Sequence, residues 1–319
     1  MKKRILLAAL IGLATGLLSY GWMTYYNWDV VTQVPGVLND FTWPYRGAEV
    51  LRAGANPYDA NLEPLPYDHF APLYYPLTTV LYALPFTYLP LHVGAACFMG
   101  LSSALLAFAA TAEGWGGLMV FTGPSYWVAF IMLQWGPLLT AAAFLPALFF
   151  PLALLKPNLG VPVALVNFTW RRALVWAGLL LLTLLVLPTW PLDWLDNLKA
   201  NQHTIPLLLF PGFLLALSAV RWRDKEGRLF MLLCLLPQRL IIYDEIILWA
   251  VAKTFRERAL LSIAGWATVL TWMLILDKPT MAIEERWVLV GFWLPMLAIL
   301  VAPAAQKWWA KRKGGELAA

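Results

Sequence analysis

Apolar runs of spanning length, separated by short polar breaks, make up most of this 319-residue chain. A helix needs about 20 apolar residues to cross a hydrocarbon core. The first run, Ile5 to Tyr25, meets that length. Leu91 to Ala112, Leu174 to Pro188, Ile205 to Val220, Leu260 to Leu276 and Trp287 to Gln306 repeat the pattern, and a Pro- and Tyr-dotted segment, Pro72 to Pro90, adds a return pass. Three stretches behave differently. From Asp40 to Ala53 the apolar positions Phe41, Tyr45, Ala48 and Leu51 follow helical spacing, with Pro44 in the first turn. This predicts a short amphipathic helix lying along the membrane surface. From Trp115 to Trp170 the chain is almost uncharged yet interrupted by Pro124, Pro137, Pro146, Pro151, Pro157 and Pro162. Short or broken helices are expected there, and at membrane depth they are tolerated where they line a cavity. Leu229 to Ala252 lies between two basic clusters, so it predicts two half-spans meeting at Pro237 to Glu245 rather than one crossing.

Composition sharpens the class. The chain is 61% hydrophobic and 13% charged, against about 25% charged residues in soluble domains. The expected fold is all-α and polytopic, a single integral membrane domain over 1–319 with about 9–11 transmembrane helices, several short or broken. The net charge of +5 comes from clusters at Lys2–Arg4, Arg171–Arg172, Arg221–Arg228, Lys253–Arg258 and the tail 307–319. The positive-inside rule puts these, and both termini, in the cytoplasm. The charge therefore gives no reason to expect a nucleic-acid partner. The 26–71 loop has the opposite balance, with Asp29, Asp40, Glu49, Asp59, Glu63 and Asp68 against Arg46 and Arg52, and reads as extracytoplasmic. Cys97 and Cys234 lie in apolar segments, which favours neither a disulfide frame nor a thiolate metal site. The N-terminal MKKR and apolar run resemble a signal peptide, but the run has full spanning length and no convincing small-residue cleavage site.

Few residues can carry chemistry. Asp40, just above the membrane between aromatics, can act as a general base if partly buried; it is equally a good helix N-cap. Arg46, Arg52, Lys156 and Arg239 lie outside the basic clusters and together can clamp a phosphate, or they pair with Glu49, Asp59, Asp244 or Glu245. For Arg52 the Glu49 pairing is favoured by helical spacing. For Lys156 and Arg239 the expense of a charge at membrane depth favours function. Asp244 and Glu245 either balance Arg239 or touch a polar substrate. Gln134, beside Gly136, is a helix-packing or substrate residue. His69, His92 and His203 share no metal-ligand spacing, and His203 reads as a solvated loop residue. No glycine-rich phosphate loop and no Ser-His-Asp order is present.

The run Asp40-Phe41, Tyr45, Ala48, Gly54 and Asn56-Pro57-Tyr58-Asp59 resembles the "DF…Y..A…G.NPYD" loop of glycosyltransferase family 87, polyprenyl-phosphate-mannose-dependent, α-mannosyltransferase-like members of the GT-C superfamily. Tyr74-Tyr75-Pro76-Leu77, Leu154-Leu155-Lys156-Pro157 and Pro237 to Asp244 resemble later motifs in order. Two departures stand out. Gln134-Trp135-Gly136-Pro137 carries the family's Gln–Gly pair in altered order, and Arg239 stands where a histidine is common. The resemblance implies a GT-C-like fold and transfer of a sugar, mannose above all, from a polyprenyl-phosphate donor to a lipid or glycan acceptor. Transfer inverts the anomeric centre, with Asp40 as base and neither metal nor cofactor. Lys156, Arg239 and Arg46 would hold the donor phosphate; Tyr45, Tyr58, Tyr75, Gln134 and Asp244 would touch sugar or acceptor. The expected setting is a bacterial plasma membrane, with the site on its outer face. Two other functions fit broken spans and intramembrane charges: a lipid-linked sugar flippase, or a GT-C-like lipid-binding scaffold without activity.

Overall fold

In the computed structural model, residues 1–25, 40–59, 72–199, 203–275 and 281–316 are described. The first-loop residues Asp29, Glu63, Asp68 and His69 lie outside that set, as do Asn201, Gln202, residues 276–280 and the last residues of the tail.

Helix α1 (Lys2–Tyr25) buries a face of small residues, Ala8, Gly12, Thr15 and Ser19, with Met23. Leu6, Leu10, Leu13 and Leu17 point outward. That is the inverse of a soluble helix. In lipid, leucine gains nothing by turning inward, and helices associate where small residues let backbones approach. The partner is α4. After α1 come α2 (Thr42–Arg52), α3 (Leu77–Ala83, continued by a 3₁₀ segment Leu84–Tyr88) and α4 (Leu91–Ala110). A Cβ on Gly12 would meet the Gly100 carbonyl at 2.8 Å, and one on Gly100 would meet the Gly12 carbonyl at 2.7 Å. Glycine is required on both sides of this seam.

The proline-rich middle breaks up as its sequence predicts. It forms α5 (Pro124–Ile131), α6 (Gly136–Phe144), α7 (Pro146–Phe149) and α8 (Pro157–Val166), with prolines in the first turns. Then follow α9 (Trp170–Val186), α10 (Trp190–Leu198), α11 (Lys225–Leu235), α12 (Phe255–Ile275), α13 (Met281–Val288) and α14 (Leu294–Glu316). Among the described residues β pairing is confined to one isolated bridge, Thr204 with Gln238. The all-α membrane class holds.

Among the described residues, fewer than the expected 9–11 helices have the length and apolarity needed to cross. Within that described set three helices, Lys2–Tyr25, Leu91–Glu113 and Ile283–Gln306, are long and apolar enough to cross. Two bent pairs raise this to five: 136–144 with 146–154, bent by 118°, and 170–186 with 190–198, bent by 95°. A break within 229–252 is present where the sequence predicts one. Helix α11 stops at Leu235, the chain runs on without helix to Tyr243, and a 3₁₀ rod occupies Asp244–Ala250.

Basic clusters gather at one end of the molecule. Arg4 donates to the Phe108 carbonyl and Thr111 at the end of α4. Beyond it, Glu113 binds Arg258 and Lys253, each at 2.8 Å, and Lys253 reaches Glu226 at 3.0 Å. Three basic clusters therefore gather at one end. At the start of α4, Tyr45 of α2 donates to the Leu89 carbonyl. Twenty residues of α4 separate the ends by about 30 Å, the thickness of a hydrocarbon core.

Candidate functional site

The site is assembled from chain breaks. Helix α5 ends in a Schellman turn: Leu133 takes φ 49°, its N–H bonds to Phe130 O, and Gln134 N–H bonds to Ala129 O. A leucine in the left-handed region costs about 1–2 kcal/mol. The turn leaves the Met132 carbonyl available, and Asp40 N–H donates to it at 3.0 Å. The next residue, Phe41, is fully buried and stacks on Phe98 with centroids 4.5 Å apart, edge-on to Phe86. Main chain and anchor together fix where Asp40 emerges. Helix α2 starts at Thr42 without a side-chain cap, so the Asp40 carboxylate is not spent as an N-cap. Its Oδ2 accepts from the Tyr75 hydroxyl at 2.9 Å.

Tyr75 is held in turn by the Asn-Pro-Tyr segment. Asn56 Oδ1 accepts from Tyr58 N–H, and the Tyr58 hydroxyl donates to the Tyr75 carbonyl. Asn56 Nδ2 also donates to Asp193 of α10. From α10, Trp194 Nε1–H donates to the Tyr74 carbonyl at 2.9 Å. Hydroxyls of Thr78 and Thr79 donate to the carbonyls of Leu154 and Leu155, which fastens α3 to the residues just before Lys156.

Lys156 is extended, as a residue before proline must be. Its Nζ straddles both carboxylate oxygens of Asp244, at 2.7 and 2.6 Å, and lies 5.3 Å from the Tyr243 ring centroid. The pair is buried, with Lys156 16% and Asp244 3% exposed. Asp244 therefore balances Lys156, not Arg239. Arg239 makes no hydrogen bond or ion pair among the described residues, and its Nε is buried without a partner.

Asp40, Tyr75, Lys156, Asp244 and Arg239 all line one cavity of about 560 Å³. That volume lies within the usual range for small-molecule sites, about 300–1,000 Å³. Its walls include Trp43, Tyr74, Trp194 and apolar Val161, Leu198, Leu236 and Ile241. His203 is an exposed loop residue, as its sequence suggests, and it also lines the cavity. Asn158, two residues after Lys156, also faces the cavity and was not singled out from sequence.

Four expected site residues lie elsewhere. Arg46 is not among the cavity residues. Tyr45 is buried against α4, and burial, then the charge of Glu49, pushes its hydroxyl up to about 12. Tyr58 borders a separate hollow with Asp59 and Asp193. Gln134 is wholly buried with both amide atoms unpartnered. Arg52 donates to Thr87 rather than pairing with Glu49. Among the described residues no group of three His, Cys, Asp or Glu is placed to hold a metal. Compared with known proteins, the chain matches no family model, no curated protein and no solved structure.

Proposed function

We propose that this protein is a membrane glycosyltransferase that moves a sugar, mannose by resemblance, from a polyprenyl-phosphate donor to a hydroxyl of a lipid or glycan acceptor at the extracytoplasmic face. The observation that carries the reading is the convergence on one cavity of Asp40 and Arg239, which has no ion pair among the described residues. The carboxylate and the guanidinium come from segments about 200 positions apart in a chain of 319, and the resemblance gives them complementary roles.

In the proposed reaction, Asp40 takes the proton of the acceptor hydroxyl as its oxygen attacks the anomeric carbon. The bond from that carbon to the phosphate oxygen breaks, and polyprenyl phosphate leaves with the electron pair. One displacement inverts the centre, through an oxocarbenium-like state. Arg239 meets the charge growing on the leaving phosphate, where charge-assisted hydrogen bonds are strongest. Lys156 adds positive field while tied to Asp244. Trp43 and Trp194 offer flat faces for a sugar ring, and the apolar wall suits the first isoprene units of the tail.

Reconstitution in vesicles with radiolabelled polyprenyl-phosphate-mannose tests this. Wild type transfers label to an acceptor, and Asp40→Asn loses transfer by a thousandfold or more with an unchanged melting profile. Movement of intact donor between leaflets without transfer defeats the proposal in favour of a flippase.

A further inference from the structure

The isolated bridge between Thr204 and Gln238 has the cavity on one side and α13 on the other. Its two backbone hydrogen bonds measure 2.8 and 2.9 Å. Two such bonds contribute roughly 0.5–1.5 kcal/mol each, which is little to hold two chain segments in register. Side chains supply the rest. Gln238 Nε2 donates to the Leu233 carbonyl at 2.6 Å, fastening one strand to the end of α11. The Thr204 hydroxyl donates to Glu285 Oε2 at 2.8 Å, fastening the other to α13. Gln238 and Glu285 are both buried.

Extended residues alternate sides. Thr204 and Gln238 turn into the protein to make these contacts, and their neighbours His203 and Arg239 turn into the cavity. Arg239 carries a buried, unpartnered Nε. An unsatisfied buried donor costs about 1–3 kcal/mol, so a side chain free to move would seek an acceptor. Glu284, beside Glu285 on α13, feels the Arg239 charge without forming an ion pair with it. Asp244 is taken by Lys156. Arg239 forms an ion pair with neither acid, and its Nε stays without a partner at the cavity wall.

We propose that Thr204 and Glu285 form a bracket that sets Arg239 at the cavity wall, making both of them positioning residues for capture of a lipid-linked monophosphate. The proposal rests on the reading of Arg239 as the phosphate ligand. Neither Thr204 nor Glu285 touches the cavity.

Farnesyl phosphate serves as the probe, titrated into the purified full-length protein in detergent micelles and followed by tryptophan fluorescence, since Trp43 and Trp194 line the cavity. Inorganic phosphate, run in parallel, separates headgroup capture from binding that needs the lipid tail. Arg239→Gln is expected to weaken farnesyl phosphate at least tenfold, from the loss of hydrogen bonds to a charged group. Thr204→Val and Glu285→Leu are expected to weaken it about fivefold. Thr204→Ser and Glu285→Gln, which keep a donor and an acceptor, stay within twofold of wild type. A purely structural role would lower the melting temperature of all four without this split in affinity. Should Glu285→Leu not fold, the Val–Ser comparison at Thr204 carries the test. The bracket is overturned if Thr204→Val binds like wild type while Arg239→Gln does not. If Arg239→Gln also binds like wild type, the phosphate role of Arg239 is what fails.

Discussion

Replacing Lys156 by methionine isolates the energetics of a buried charge inside this site. At 2.6 Å the attraction between Lys156 and Asp244 is ~6 kcal/mol at an effective dielectric constant near 20. Stripping water from each ion costs several kcal/mol, so the pair's net contribution is close to zero. Removing only the lysine forfeits the attraction while Asp244, 3% exposed, stays buried. The expected loss is about 3–5 kcal/mol. Asp244→Asn should cost less, about 1–3 kcal/mol, because Lys156 keeps some access to solvent and lies near the Tyr243 ring. The double variant should be more stable than Lys156→Met alone, which requires a coupling larger than the Asp244→Asn loss, about 3 kcal/mol. SDS-driven unfolding in mixed micelles, followed by tryptophan fluorescence, measures all four proteins. Additive single effects, or a Lys156→Met loss below about 1 kcal/mol, would refute the assignment of a desolvated, mutually compensating pair.

Three further outcomes follow from the geometry. Phe41→Ala empties a fully buried aromatic stack and should cost about 3–5 kcal/mol; the same unfolding assay checks it. Gly12→Leu drives a side chain into the Gly100 carbonyl and should part α1 from α4, read as loss of a disulfide between cysteines engineered across that seam. Tyr75→Phe removes a hydrogen bond to a carboxylate, worth about 1.5–3 kcal/mol. Sugar transfer should fall tenfold or more while the stability loss stays within that range and the fold persists, because the main-chain bond to Met132 still holds Asp40.

Much of the local structure was legible in the residue order. The Ile5–Tyr25 run is α1, the Asp40–Ala53 spacing is α2, and the proline-broken middle is four short helices. These features depend on contacts within a turn or two, which periodicity and proline report directly. Pairings across the chain were not legible. Lys156 and Asp244 are 88 positions apart, and neither spacing nor composition could prefer Asp244 over Glu245 as partner. Asp40 reads as a cap from sequence because the preference of aspartate for that position is local, whereas its real partner, Tyr75, depends on how the first loop folds back. Gln134 looked like a site residue because a lone amide in an apolar run is conspicuous; it sits sealed behind the turn whose last bond its own backbone makes.

The carbonyl that receives Asp40 belongs to a main chain, not to a side chain. Residue 132 should therefore accept many substitutions without disturbing the acid. A single inserted or deleted residue within α5 is another matter, since it would swing that acceptor by about 100° around the helix axis and shift it by about 1.5 Å. The position of the acid is written in the length of a neighbouring helix, so indels there should be far less tolerated than point changes.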